Sequence, residues 1–111
     1  TMNDQESIQL HKRIELHEKL CSILGSRNVY YQDPGEDKMI FPAIVYDLAS
    51  IQTLYADNKA YKNDKCYQVK VIQPDPDTPF VDDILSEFSK IRFERRYKTN
   101  NQYHDVFNIW W

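Results

Sequence analysis

Hydrophobic positions recur along this chain with two different periods. Over residues 4–24, Leu10, Ile14, His17, Cys21 and Leu24 alternate at spacings of four and three, and Leu16, Leu20 and Ile23 widen the stripe. Lys12, Arg13, Glu15, Glu18 and Lys19 fill the opposite side. That spacing predicts one amphipathic helix. Asp4 and Glu6 suit its N-terminal dipole, Glu15 and Lys19 form a favourable i,i+4 pair, and Gly25 supplies a C-terminal stop. From residue 28 onward the strand period takes over. Asn28–Tyr31 predicts a short strand, and Ala43–Ser50 a nearly continuous apolar strand covered on at least one face. Lys65–Ile72 alternates cleanly, with Tyr67, Val69 and Val71 one way and Gln68 and Lys70 the other. Ile91–Lys98 alternates again, Ile91, Phe93 and Tyr97 opposing Arg92, Glu94, Arg96 and Lys98, while Arg95 breaks the apolar side. Tyr103–Trp111 sets Tyr103, Phe107, Ile109 and Trp111 on one face and Val106 and Trp110 on the other. Two tryptophans at that end predict a docked strand.

The punctuation between these runs fixes their connections. Asp33-Pro34-Gly35 is turn chemistry, and Pro42 withholds a ladder donor and favours an extended residue before it. Residues 51–64 predict a loop far longer than the ~2–5 residues usual for a hairpin. Gln73–Pro79 is a stiff connector, with Thr78 as N-cap and Pro79 as first residue of a helix over 79–89. Val81, Ile84, Leu85 and Phe88 form its inward stripe, and Thr99–Gln102 is a turn. The order is α-β-β-β-α-β-β in a single domain, 1–111. It predicts an α+β fold with a mainly antiparallel sheet of four to five strands, both helices on one face and the other face uncovered.

Composition narrows the functional classes. With 14 basic and 17 acidic residues the net charge is −3, which argues against a strong nucleic-acid binder. Arg92, Arg95, Arg96 and Lys98 form a local basic run, read as a solvated strand face. Only Gly25 and Gly35 are present, so no backbone phosphate cradle is expected. Cys21 and Cys66 read as buried free thiols of a reducing compartment. No apolar run reaches the ~20 residues of a membrane span, and no basic-then-apolar leader follows Met2, so a cytosolic origin without membrane contact is expected.

The search for catalytic or metal chemistry returns little. Asp33, Glu36 and Asp37 lack the ligand pattern of a calcium loop, and read as a solvated acidic loop. Asp75 and Asp77 lie in a proline-rich connector without an activated neighbour, which favours turn and capping roles. His17 has no second ligand four residues away and reads as a partly buried, hydrogen-bonded histidine. His104 and Asp105 are strand neighbours pointing to opposite faces, so neither orients the other. The expectation is no enzyme, no metal and no cofactor. Fifteen aromatic residues, eight of them Tyr, together with the 51–64 segment and an open sheet face, point instead to a binding or assembly module.

A succession of short strings carries this further: VYYQDPGEDKMIFPAIVY, YADNKAY, YQVKVIQPDPD, and the closing YHDVF and VFNIWW. From Val29 to the C-terminus the chain resembles the tail terminator or tail completion proteins of tailed bacteriophages. The resemblance implies a virion structural protein. It would form a ring, usually a hexamer, on the last ring of the tail tube, stopping tube polymerisation and meeting the head connector. It implies as partners other copies of the chain, the tail tube protein and a head-completion protein, with DNA only passing through the lumen. Heterologous ring contacts would draw on Tyr55, Asp57, Asn58, Lys59 and Tyr61, while the strand faces bearing Gln68, Lys70, Arg92, Glu94 and Arg96 would line the channel or meet the tube. YADNKAY is alternatively an internal structural loop with both tyrosines on their own sheet. A head-closure or connector protein and a peptide-binding adaptor are the competing roles.

Overall fold

The alternating run around Val69 lies at the centre of the sheet. A computed structural model of the chain describes residues 4–56 and 59–111, with side chains from 10–51 and 65–111. Its elements are α1 (Asp4–Leu24), β1 (Val29–Tyr31), a 3-10 turn (Glu36–Lys38), β2 (Ala43–Ala56), β3 (Lys59–Gln73), α2 (Phe80–Glu87), β4 (Ile91–Thr99) and β5 (Gln102–Trp110). The strands form one five-stranded sheet in the order β1-β2-β3-β5-β4. Only β1, which pairs with β2, is parallel to its neighbour; the other three pairings are antiparallel. The expected α+β class and element order are therefore present. Asn100 and Asn101 both take left-handed φ, 50° and 62°, which matches the two-residue hairpin turn between β4 and β5.

Both helices cover the same face. Leu16, Leu20, Cys21 and Leu24 of α1 and Ile84 and Phe88 beside α2 pack on Ile44, Tyr46, Tyr67, Val69, Val71, Phe107 and Ile109. The buried stripe of α1 is thus centred on Leu16 and Leu20, and Ile14 stands on its flank. Gly25 ends α1 at φ 77°, its N–H donating to the Cys21 carbonyl at 2.9 Å. Thr78 does not cap α2: its hydroxyl donates to Gln73 Oε1 instead, and Pro79 occupies the N-cap without a side-chain bond. Trp111 is docked as expected, with Nε1 donating to the Lys12 carbonyl at 2.6 Å and its ring edge-on to Phe88.

The second face is half covered. Residues 32–42 leave β1 and run as a strap across one end of it. Met39 and Phe41 close over Ala43, Val45 and Ile72. The strap begins with an Asx turn, in which Gly35 N–H donates to Asp33 Oδ1 at 2.8 Å. It is tied down at the far side by Asn100 Nδ2, which donates to both Glu36 carboxylate oxygens at 3.0 and 2.8 Å.

Three register shifts interrupt the ladders: one between Leu54 and Tyr55 leaves Tyr61 as the extra residue of β3, and two others set which side chains share a face in the body of the sheet. In β2 the register shifts between Leu48 and Ser50, leaving Ala49 as the extra residue. In β4 it shifts between Phe93 and Arg95, leaving Glu94. Past that bulge the alternation inverts. Arg96 pairs with Asp105 on the helix side, and Tyr97 pairs with His104 on the strap side. The sequence pattern placed Arg96 with Arg92 and Tyr97 with Phe93; the extra residue separates both pairs.

Leu20 is 0 % exposed and Ile14 45 % exposed. Leu20→Ala is expected to cost ~2–5 kcal/mol of unfolding free energy, and Ile14→Ala less than about 1 kcal/mol. Urea titration checks this; equal losses would contradict the packing described.

Candidate functional site

The largest departure from expectation lies at residues 51–64. This segment continues β2 and β3 as a paired ribbon, from Ile51↔Lys65 to Ala56↔Lys59. β5 stops at the pair Cys66↔Trp110, followed by one bond from Trp111 N–H to the Lys65 carbonyl at 3.0 Å. On the other side, β1 pairs only with Ile44, Val45 and Tyr46, and the last bond there runs from Gln32 N–H to the Tyr46 carbonyl at 2.8 Å. The ribbon therefore extends about 20 Å beyond its neighbours at the usual strand rise. Among the described residues it has no strand on either edge. The molecule measures 50 × 30 × 21 Å.

Of the residues expected at a contact surface, Tyr55, Lys59 and Tyr61 have backbones in this ribbon near its tip. Their side chains, and Asp57 and Asn58 entirely, lie outside the described residues. The other three are dispersed. Lys70 is half-buried in the middle of the strap face, between Val45 and Val106. Arg92 lies on the sheet edge, its Nε 3.2 Å from Glu94 Oε1. Arg96 is on the helix side and is committed internally. Its Nε and Nη2 donate to the two oxygens of Asp105 at 2.5 and 3.1 Å, and Nη2 also reaches the Pro76 carbonyl at 3.1 Å. The Asp105 carboxylate raises the guanidinium pKa further above its ordinary value. Arg96 is a structural cation here.

Among the described residues, the carboxylates and histidines weighed as candidate catalytic groups are not brought together. Asp75 Oδ1 accepts from the Asp77 backbone at 2.9 Å, a turn rather than a carboxylate dyad. His17 Nδ1 lies 2.8 Å from the buried Tyr46 hydroxyl. Burial, then the Arg27 charge, lowers the His17 pKa. His104 and Asp105 do point to opposite faces. His104 stacks on Tyr97 with centroids 4.7 Å apart, and neither of its buried ring nitrogens has a hydrogen-bond partner. Burial first, then Lys70, lowers its pKa, against the carboxylates of Glu36, Asp105 and Asp33. Both cysteines are free and buried, and burial raises their thiol pKa values. Among the described residues, no group of three or more His, Cys, Asp or Glu could hold a metal ion, and no helix is long and apolar enough to cross a membrane.

The residues missed by periodicity are those at the two edges of the sheet. Tyr31, Leu48 and Ile51 on one side and Leu85 and Phe93 on the other are large, apolar and exposed. The sequence pattern puts Leu85 and Phe93 on inward faces, Leu48 in a covered strand and Ile51 in the loop, because only the strand order reveals which positions are peripheral. The chain matches no protein-family model, and no curated protein or solved structure is significantly similar to it.

Two internal groups give measurable consequences. The side chain of Asp105 is 0 % exposed and that of Arg96 37 %. Arg96→Ala strands the carboxylate, with an expected loss of about 2–3 kcal/mol, less than for a fully buried pair because solvent screens the guanidinium. Urea unfolding of this variant should show a loss well above that of Arg92→Ala. His104 and His17 have folded pKa values below that of the unfolded chain, so the unfolded state takes up their protons first. Stability is therefore full above about pH 6.5 and falls as pH drops below it. His104→Phe keeps the ring stack and removes one of the two groups. Its unfolding free energy should decline less than that of the wild type between pH 7 and 5.

Proposed function

We propose that this chain is a bacteriophage virion structural protein, a tail terminator. It forms a ring, most simply a hexamer, at the head-proximal end of the tail, stops tail-tube polymerisation and presents the joint to the head connector. The strings from Val29 onward that resemble this family support the reading. The observation that carries it is the β2–β3 ribbon, two long strands with both edges unpaired among the described residues.

An exposed strand edge presents a row of free N–H and C=O groups, and an isolated two-stranded ribbon is at best marginally stable in water. Both edges can be met by strands of other subunits in the assembly, on a neighbouring copy or on the last ring of the tail tube. Such contacts are heterologous, and a heterologous contact repeated by rotation closes a ring. Charge is compatible with this role, since a net charge of −3 does not favour tight retention of DNA in a lumen.

The test has two arms. Native mass measurement, alone and with tail tubes, should find a sixfold ring. A variant whose residues 54–62 are replaced by Asn-Gly, between the paired Thr53 and Asn63, should fold yet fail to assemble. A chain that stays monomeric on tail tubes overturns the reading. Virions lacking the protein should show overlong or headless tails; leaking heads with normal tails would reassign it to head closure.

A further inference from the structure

The edges of the globular body carry complementary row ends. Because the strands are in fixed register, each row of residues can be followed across the whole sheet. One row runs Tyr31, Tyr46, Val69, Phe107, Phe93. All five side chains face the helices, and the interior three are buried while the terminal two are 36 % and 42 % exposed. The adjacent row on the same face runs Leu48, Tyr67, Ile109, Ile91, and Leu48 is 38 % exposed at its open end. Between them, on the opposite face, a row runs Asp47, Gln68, Asn108, Arg92. An acid stands at one end and a base at the other, and both are exposed.

Each edge is flanked by a further apolar side chain on the helix side. Ile51 continues the β2 edge at 52 % exposure. On the other edge, Asp83, Ser86 and Glu87 of α2 face α1, where Lys19 Nζ meets Glu87 at 2.8 Å. The helical spacing then turns Leu85, 38 % exposed, to the flank of α2 away from α1. Strand direction also agrees. β1 is parallel to β2, and three successive antiparallel pairings from β2 leave β4 antiparallel to both. A second copy placed beside the first by rotation about an axis along the strands would therefore set β4 antiparallel to the neighbouring β1–β2 edge.

We infer that the β4 edge of one copy docks on the β1–β2 edge of the next, with Phe93 against Tyr31 and Leu48 on the helix side and Arg92 against Asp47 on the strap side. The occupant is a second copy of this chain because one edge offers an exposed acid, Asp47, at the height where the other offers an exposed base, Arg92, with exposed apolar side chains beside each. The inference rests on the ring reading and adds to it a contact between bodies, separate from the ribbon. Exposed Arg92 exchanges its local contact with Glu94 for the neighbour's Asp47.

A charge exchange at the two exposed ends tests this without disturbing the core. Arg92→Glu and Asp47→Lys are made singly and together, with folding monitored by circular dichroism and thermal unfolding. Ring formation is followed by sedimentation over a concentration series. Each single variant should require about tenfold more protein to assemble, because it sets like charges opposite each other. The double variant should return close to the wild-type concentration. Singles that assemble like the wild type, or a double variant as impaired as either single, would overturn the inference while leaving the ring intact. A wild-type chain that forms no ring even on tail tubes removes both the inference and the ring reading.

Discussion

The fold depends on β3 being paired on both sides in a single register. Tyr67, Val69 and Val71 meet Leu48, Tyr46 and Ile44 on one side and Ile109, Phe107 and Asp105 on the other. A slip of one residue would turn Val69 and Val71, both fully buried, towards the strap face, and bring Lys70 under the helices. Everything else is hung on that register. α1 lies over the β1–β2 side through Leu16, Leu20 and the His17–Tyr46 contact, and α2 lies towards β4 through Ile84 and Phe88. The strap reaches its anchor at Asn100 because β4 ends and β5 begins near the level where β2 starts.

The bulge at Glu94 is coupled to this constraint electrostatically. β5 must present Phe107 and Ile109 to the helices, and alternation then forces Asp105 inward on the same face. A buried carboxylate needs a cation. Regular alternation from Phe93 would have offered it Arg95 and sent Arg96 to the strap side. The extra residue instead brings Arg96 opposite Asp105, in a two-bond fork that also reaches the Pro76 carbonyl. It also leaves Tyr97 free to stack on His104. The signal was present in the sequence as the interruption at Arg95, but an interruption alone does not distinguish an exposed edge from a change of register.

Elements with one buried face were legible, because burial imposes a period. This holds for α1, for Lys65–Ile72 and for the inward stripe of α2. The ribbon was not. Among the described residues the ribbon has no strand on either edge, and the alternation that marks a half-buried strand is missing from its sequence. Its polar composition reads as a loop although its described backbone is paired, Tyr61 excepted. The strap was half legible: Asp33 and Gly35 marked its turn, but nothing local shows that Met39 and Phe41 fold back over Val45 and Ile72. Of the expected contact residues, Arg96 is withdrawn by the bulge and Lys70 by its place in mid-sheet, so the exposed cation Arg92 is the one that keeps an edge position.

Edge strands are hazardous unless something limits what they pair with, and cations and bulges are common limits. Here Arg92, Arg95 and Lys98 outweigh Glu94 along β4, Arg96 being held by Asp105, in a chain whose net charge is negative. That arrangement disfavours two β4 edges meeting each other, since like charges would oppose across the two-fold contact. It does not disfavour an edge that ends in Asp47. The same charges that block an isologous dimer therefore leave a heterologous contact open, and heterologous contact is the only kind that can close a ring of more than two copies using one interface. In the proposed assembly the specificity of β4 and the openness of the ribbon are complementary. The body edges select the neighbour and its direction, and the ribbons, two strands wide on bodies five strands wide, then stand apart with their edges left for the tail tube.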